Sequence, residues 1–202
     1  MEPQWHDSLE KIVRKYAEQS QALAWVHDLS QRWCANWNTR LMFPTILFSS
    51  LVGVGSIGSE QLLPFSNAST LIGLVSITVG ILQTTRDYFA FAKRSESHRI
   101  ASLNYSKLHS TLSVQLALPR TERKKATDII EYIQQETEKL ADITPIIPSY
   151  VKEEFKKKFG SLADYSIPPV LNGLDKVEIQ RSTSTPQQEM FKVQRPVIKV
   201  EV

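Results

Sequence analysis

Between Arg40 and Arg86 lie 45 residues with a single charge, Glu60, and that charge divides them into two apolar blocks. Leu41 to Ser59 and Ala68 to Thr85 supply 19 and 18 residues. At about 1.5 Å per residue each block is long enough for a hydrocarbon core of roughly 30 Å. The stretch therefore predicts an integral membrane hairpin. A soluble reading, with both blocks as buried core helices, must explain why neither offers the polar face an ordinary helix turns to water.

Basic residues set the expected orientation, because positive charge beside a span is retained on the cytoplasmic side. Arg32 and Arg40 precede the first block, and Arg86, Lys93, Arg94 and Arg99 follow the second, whereas Glu60 to Asn67 contains no Lys or Arg. Both termini are expected in the cytosol. Trp33 and Trp37, with Arg40, Arg86, Lys93 and Arg94, are the expected membrane-interface residues, since an indole can rest at headgroup depth. Forty charged and mixed residues precede the first block, so no cleavable leader is expected and the first span should persist.

The net charge of +3 averages unlike segments. Residues 1–40 and residues 161–202 are each balanced at five basic and five acidic groups, while residues 86–160 hold fourteen against ten. Anionic cytoplasmic lipid is the simplest partner for that excess. Nucleic acid is not expected, because Arg120, Arg123, Lys124 and Lys125 are not interleaved with aromatics and match no binding motif. Cys34 is the only cysteine, which excludes an intramolecular disulfide and reads as a buried thiol. Asn67-Ala68-Ser69 matches a glycosylation sequon but abuts the second span, so it reads as chance.

Four segments follow. In residues 1–40, Trp5, Leu9, Ile12, Val13 and Tyr16, then Leu23, Val26, Leu29, Trp33 and Trp37, recur at helical spacing, so one long amphipathic helix or two should precede the hairpin of residues 41–85. Trp25 suits either a core or the interface. In residues 86–160, the pattern Phe89, Ile100, Leu103, Leu108, Leu112 and Leu116 lets the second membrane helix run on into the cytosol as far as Leu118-Pro119. Thr121 is placed to cap a helix with the stripe Ala126, Ile129, Ile130, Ile133 and Leu140. Asp142 to Pro148 should break it, and a basic helix, Ser149 to Phe159, should end at Gly160. Residues 161–202 read as an extended or disordered tail. Its alternating runs, Val177 to Arg181 and Phe191 to Val202, could add as strands to a soluble protein partner. The fold class expected is all-α: a transmembrane hairpin, long cytosolic helices packed as a bundle, and an irregular tail.

Within the hairpin, Thr45, Ser49, Gly53, Ser56 and Glu60 share one helix face, and Ser69, Gly73, Ser76, Gly80 and Thr84 share another. Small residues let helix backbones approach in lipid, where apolar burial gives no drive for association. Packing alone accounts for both stripes. The sharper expectation is that one stripe closes the hairpin while the other lines the axis of a homo-oligomer, leaving a narrow, weakly polar pore with Glu60 at its outer mouth. No catalytic residue, cofactor or metal site is expected: His6, His27, His98 and His109 are scattered, Cys34 lacks a nucleophile motif, and no Gly-rich phosphate loop follows a strand.

Several strings carry a family likeness: Trp25-Val26-His27-Asp28, the run Phe43-Pro44-Thr45-Ile46-Leu47-Phe48-Ser49-Ser50-Leu51-Val52-Gly53, Leu116-Ala117-Leu118-Pro119-Arg120, and Ile143-Thr144-Pro145-Ile146-Ile147-Pro148 before the Phe155 to Phe159 helix. Over residues 20–160 the chain resembles the SLATT family of two-span membrane proteins, most nearly members encoded by large DNA viruses of algae and protists. The resemblance implies a cytosolic bundle around a membrane hairpin. For bacterial relatives beside nucleotide-sensing defence genes it implies a pore-forming effector, and for viral ones a virion or host-membrane protein. It carries no catalytic residue over.

Overall fold

The computed structural model describes residues 5–62, 67–161 and 165–174, with the side chains of residues 58–62 outside that description. A single helix, α1, runs from Asp7 to Leu62, 56 residues or about 84 Å. Its start is favoured by Asp7 and Glu10 in the first turn, where carboxylates face the positive end of the helix dipole. The helix continues through its one proline. Pro44 lies inside the helix and leaves the Arg40 carbonyl without its usual N–H donor.

The chain returns along α1 as α2, Ala68–Phe89, and α3, Phe91–Ala117. Between them Ala90 adopts the left-handed conformation, φ +47°. Its N–H still reaches the Arg86 carbonyl, and its own carbonyl accepts from Arg94, so the two helices continue each other across a jog. The expectation that the second span runs on into the next segment thus holds, with one strained residue at the junction.

Three shorter helices pack around the α1 and α3 pair at the end away from the chain reversal. In α4, Ala126–Ile143, the buried residues are Ala126, Ile129, Ile133 and Leu140. Ile129, Ile133 and Leu140 join Val13, Ala17, Leu108 and Leu112 in one core cluster. α4 begins at Ala126 and has no side-chain cap, so Thr121 does not cap it. Residues 119–125 instead form turns tied back to α3: Arg123 Nε donates to the Leu118 carbonyl and the Lys124 N–H to Gln115 Oε1.

α5, Ser149–Phe159, has the boundaries that Pro148 and Gly160 imply, with three lysines in its last turn. It buries Val151 and Phe155 against Ala22 and Val26 in a second cluster nearer the hairpin. Trp25 belongs there too, at 5.8 Å from Phe155 and 5.1 Å from Phe159, which settles it as a core residue.

The first part of the tail is more ordered than its composition implies. Tyr165 donates to the Glu18 carbonyl at 2.7 Å, the Ser166 N–H donates to the Glu18 carboxylate, and the short α6, Pro169–Asn172, buries Leu171. The runs Val177 to Arg181 and Phe191 to Val202 lie outside the described residues. No strand occurs among the described residues, and the fold is all-α.

Candidate functional site: an uncovered hairpin and its polar seam

The upper part of α1 pairs with α2 alone. Its shielded positions are Leu41, Thr45, Phe48, Val52 and Gly55, at alternating steps of four and three, opposite Ala68, Ile72, Val75, Val79 and Leu82. Gly55 is the close approach: a Cβ there would meet Ile72 Cδ1 at 3.4 Å. Most of the other described side chains on the two spans face outward, including Phe43 at 70% exposure, Leu51 at 58%, Ile57 at 91% and Ile77 at 63%. Both helices are long and apolar enough to cross a membrane, with mean hydropathy 1.5 and only 6% of the apolar window buried. A core helix of a soluble protein would bury those side chains.

The two small-residue stripes do not close the hairpin. Thr45 faces the partner helix, but Ser49, Gly53 and Ser56 on α1 and Ser69, Gly73, Ser76, Gly80 and Thr84 on α2 are exposed. The Glu60 side chain lies outside the described residues. The physical reason is volume: Phe48, Val52, Ile72 and Val79 fill the seam, and a Cβ on Gly53, Gly73 or Gly80 would meet nothing within 4 Å. Four of the stripe hydroxyls are satisfied along their own helices. Thr45 donates to Leu41, Ser56 to Val52, Ser76 to Ile72 and Thr84 to Gly80, each to the carbonyl four residues earlier. Such back-bonding gives these four hydroxyl protons an acceptor in an apolar surround.

Where the uncovered part meets the bundle, aromatic rings form a shelf. Trp33 and Trp37 lie 6.1 and 6.3 Å from Phe91, and Phe89 stacks on Phe91 at 5.4 Å. The Arg40 guanidinium sits 5.6 Å over the Trp37 ring. Arg86 reaches Asp87 at 3.5 Å, and Lys93 and Arg94 are exposed one to two turns below. All six expected interface residues therefore fall within about two helical turns along the molecule.

Below the shelf, α1 and α3 are joined by a polar ladder. Ser95 donates to the Gln31 carbonyl at 3.2 Å, Ser102 to Ala24 at 2.9 Å and His109 Nδ1 to Ala17 at 2.9 Å. The donors are seven residues apart, and so are the acceptors, in opposite directions, as an antiparallel pair with a heptad seam requires. Between the first two rungs His27 and His98 meet, Nδ1 to Nδ1 at 2.9 Å, one ring donating and the other accepting. His27 also stacks on Tyr105, with ring planes 2° apart. Both histidines are buried, and His27 Nε2 has no hydrogen-bond partner among the described residues. Burial holds both rings down at about 4, with the neighbouring His98 adding to the effect on His27 and Arg94 to that on His98.

No pattern in the sequence pairs histidines 71 positions apart. The signal available was the seven-residue repeat of Ser95, Ser102 and His109 against Ala17, Ala24 and Gln31. Cys34 is 1% exposed, as expected, and burial raises its thiol pKa. No group of three or more His, Cys, Asp or Glu side chains converges on a metal-sized site among the described residues.

At the far end of the bundle, Arg120 and Arg123 both bind the Glu10 carboxylate, and Arg120 also binds Asp7. Hydrogen bonds from Arg120 and then Arg123 hold the Glu10 carboxyl down at about 2. These arginines belong to the basic excess assigned to lipid from the sequence. They lie instead beside residues 7–10, about thirty helical residues and some 45 Å from Arg40.

Comparison with protein-family models, with curated proteins and with solved structures returns no match for this chain. The functional reading rests on the residues themselves.

Proposed function

We propose that this is an integral membrane protein whose hairpin crosses a bilayer, with both flanks in the cytosol, and which assembles into a homo-oligomer that permeabilises the membrane. The observation that carries the membrane reading is the band of bare Leu, Ile, Val and Phe on both faces of a two-helix hairpin. It far exceeds the few hundred Å² of contiguous apolar surface that soluble monomers expose. The shelf of Trp33, Trp37 and Phe91, with Arg40 and Arg86, supplies an interface at the bundle end. Both flanks enter one bundle, so a crossing hairpin returns them to one compartment.

Self-association is supported by the outward stripes. With larger side chains filling the seam of the hairpin, Ser49, Gly53 and Ser56, and Gly73, Ser76 and Gly80, are left as surfaces on which another hairpin can pack closely. A lumen lined by them would be narrow and weakly polar, since their hydroxyls that donate do so within their own helices. The resemblance to the SLATT family supports the same reading.

Purified protein in liposomes should release a small trapped dye and run in detergent as an assembly of four or more chains. An assembly that leaves vesicles tight would replace the pore with a non-conducting membrane anchor or scaffold. A detergent-free soluble monomer would remove the membrane reading altogether.

A further inference from the structure

The basic residues of this chain are sorted by position. At the far end, Arg120 and Arg123 are neutralised by Asp7 and Glu10, and along the flanks Arg32 pairs with Asp28 and Arg99 with Glu96. At the level of the aromatic shelf the balance differs. Among the described residues, Asp87 touches Arg86 at 3.5 Å while its own side chain stays largely exposed, and Glu96, one turn from Lys93, is taken up by Arg99, so Arg40, Lys93 and Arg94 outnumber the carboxylates that face them. Arg40 is held over Trp37, a contact that orients its guanidinium and leaves its charge in place.

Height matters as much as charge. Arg40 and Arg86 each lie one residue beyond an apolar block, and Trp37 contacts Phe91, so the two helices are level there. Lys93 and Arg94 are seven and eight residues below Arg86, about 10 to 12 Å, and long basic side chains extend upward to meet an interface. The headgroup zone outside the hydrocarbon is only about 5 to 8 Å deep on each side, so all four cations reach it or its edge. Its phosphates supply anions beyond the one Asp87 carboxylate that pairs with Arg86 at this level.

We infer that this collar, Arg40, Arg86, Lys93 and Arg94 on the Trp37 and Phe91 shelf, is a docking surface for the headgroups of anionic phospholipids. The inference rests on the hairpin being in the bilayer. Each basic residue near an anionic surface contributes about fivefold in affinity, so the collar should enrich such lipids by well over tenfold against neutral ones.

The test uses the full chain in nanodiscs of mixed phosphatidylserine and phosphatidylcholine, with retained lipid read by native mass spectrometry. Wild type should hold phosphatidylserine preferentially, and the preference should weaken with rising salt. The triple variant Arg40→Gln, Lys93→Gln, Arg94→Gln should lose most of it. The control Lys152→Gln, Lys156→Gln, Lys157→Gln, which removes the same charge from α5, should keep it. Glycerophosphate at millimolar concentration should not displace the lipid.

Equal retention of both lipids by wild type, or undiminished preference in the collar variant, would overturn the inference. So would displacement by the soluble phosphate, or an equal loss in the control. Alkaline carbonate extraction keeps the two readings apart: a chain that stays in the pellet without lipid preference sinks the collar alone, whereas one that washes off sinks the membrane reading beneath it.

Discussion

His27 and His98 share one proton across a 2.9 Å contact inside the α1 and α3 seam, and a second proton on each ring would place two cations against each other beside Arg94. Both rings titrate at about 4 in the fold against an ordinary value of 6.5. Between those values the unfolded chain binds protons that the folded one excludes. Stability is thus complete above about pH 6.5 and declines as pH falls toward 4. Glu10, held at about 2, loses its contribution in a lower window that begins near the ordinary glutamate value of 4.5. Thermal unfolding of the detergent-solubilised protein should therefore show a lower midpoint at about pH 5 than at about pH 7.5, from the histidines. Equal midpoints would contradict the buried pair.

Ala90 is the other residue whose backbone can be tested singly. A left-handed non-glycine residue costs about 1 to 2 kcal/mol, and glycine returns part of that through its freedom in the unfolded chain. Ala90→Gly should hold or raise stability by up to about 1 kcal/mol, while the β-branched Ala90→Val should lower it by more than that. The two unfolding midpoints should differ in that order; tolerance of valine would show that the jog between α2 and α3 is not left-handed.

Among the elements, the hairpin separates what pattern reveals from what it hides. The boundaries of α5 were legible because Pro148 and Gly160 punctuate them chemically, and the buried stripe of α4 because its apolar positions keep helical period. The hairpin itself was legible from the near absence of charge. Which face of each span is inside was not. Small residues and medium apolar ones both suit a helix contact in lipid, and only the rotation of α1 against α2, fixed by Gly55 on Ile72, decides. The ladder of Ser95, Ser102 and His109 escaped for a related reason: its repeat is polar and its acceptors are backbone carbonyls, which a search for apolar periodicity passes over.

Gly55→Leu should overpack the seam and cost about 1 to 3 kcal/mol, whereas Gly53→Leu adds its side chain outward and should leave the hairpin's stability within about 0.5 kcal/mol. Light scattering in detergent should then show Gly53→Leu or Gly80→Leu reducing oligomer mass. Unchanged mass for both would remove the outward stripes from self-association.

As a whole, the molecule is a long two-helix rod with one end clothed by α4, α5 and α6 and the other bare. Charge counting along the sequence placed the basic excess beside the membrane, but folding carries Arg120 and Arg123 to the opposite end, where Asp7 and Glu10 absorb them. That separation could not be read from order alone, because it depends on α2 and α3 together running back along α1. It also leaves a simple topology to test.

In a Cys34→Ser background, single cysteines introduced as Lys11→Cys, Asn67→Cys and Lys107→Cys report the start of α1, the turn of the hairpin and the middle of α3. All three positions are exposed. In sealed vesicles treated with a membrane-impermeant maleimide, the cysteines at positions 11 and 107 should share one accessibility and that at position 67 should show the opposite. Identical labelling at all three positions, before and after the vesicles are opened, would mean that the hairpin does not cross the bilayer.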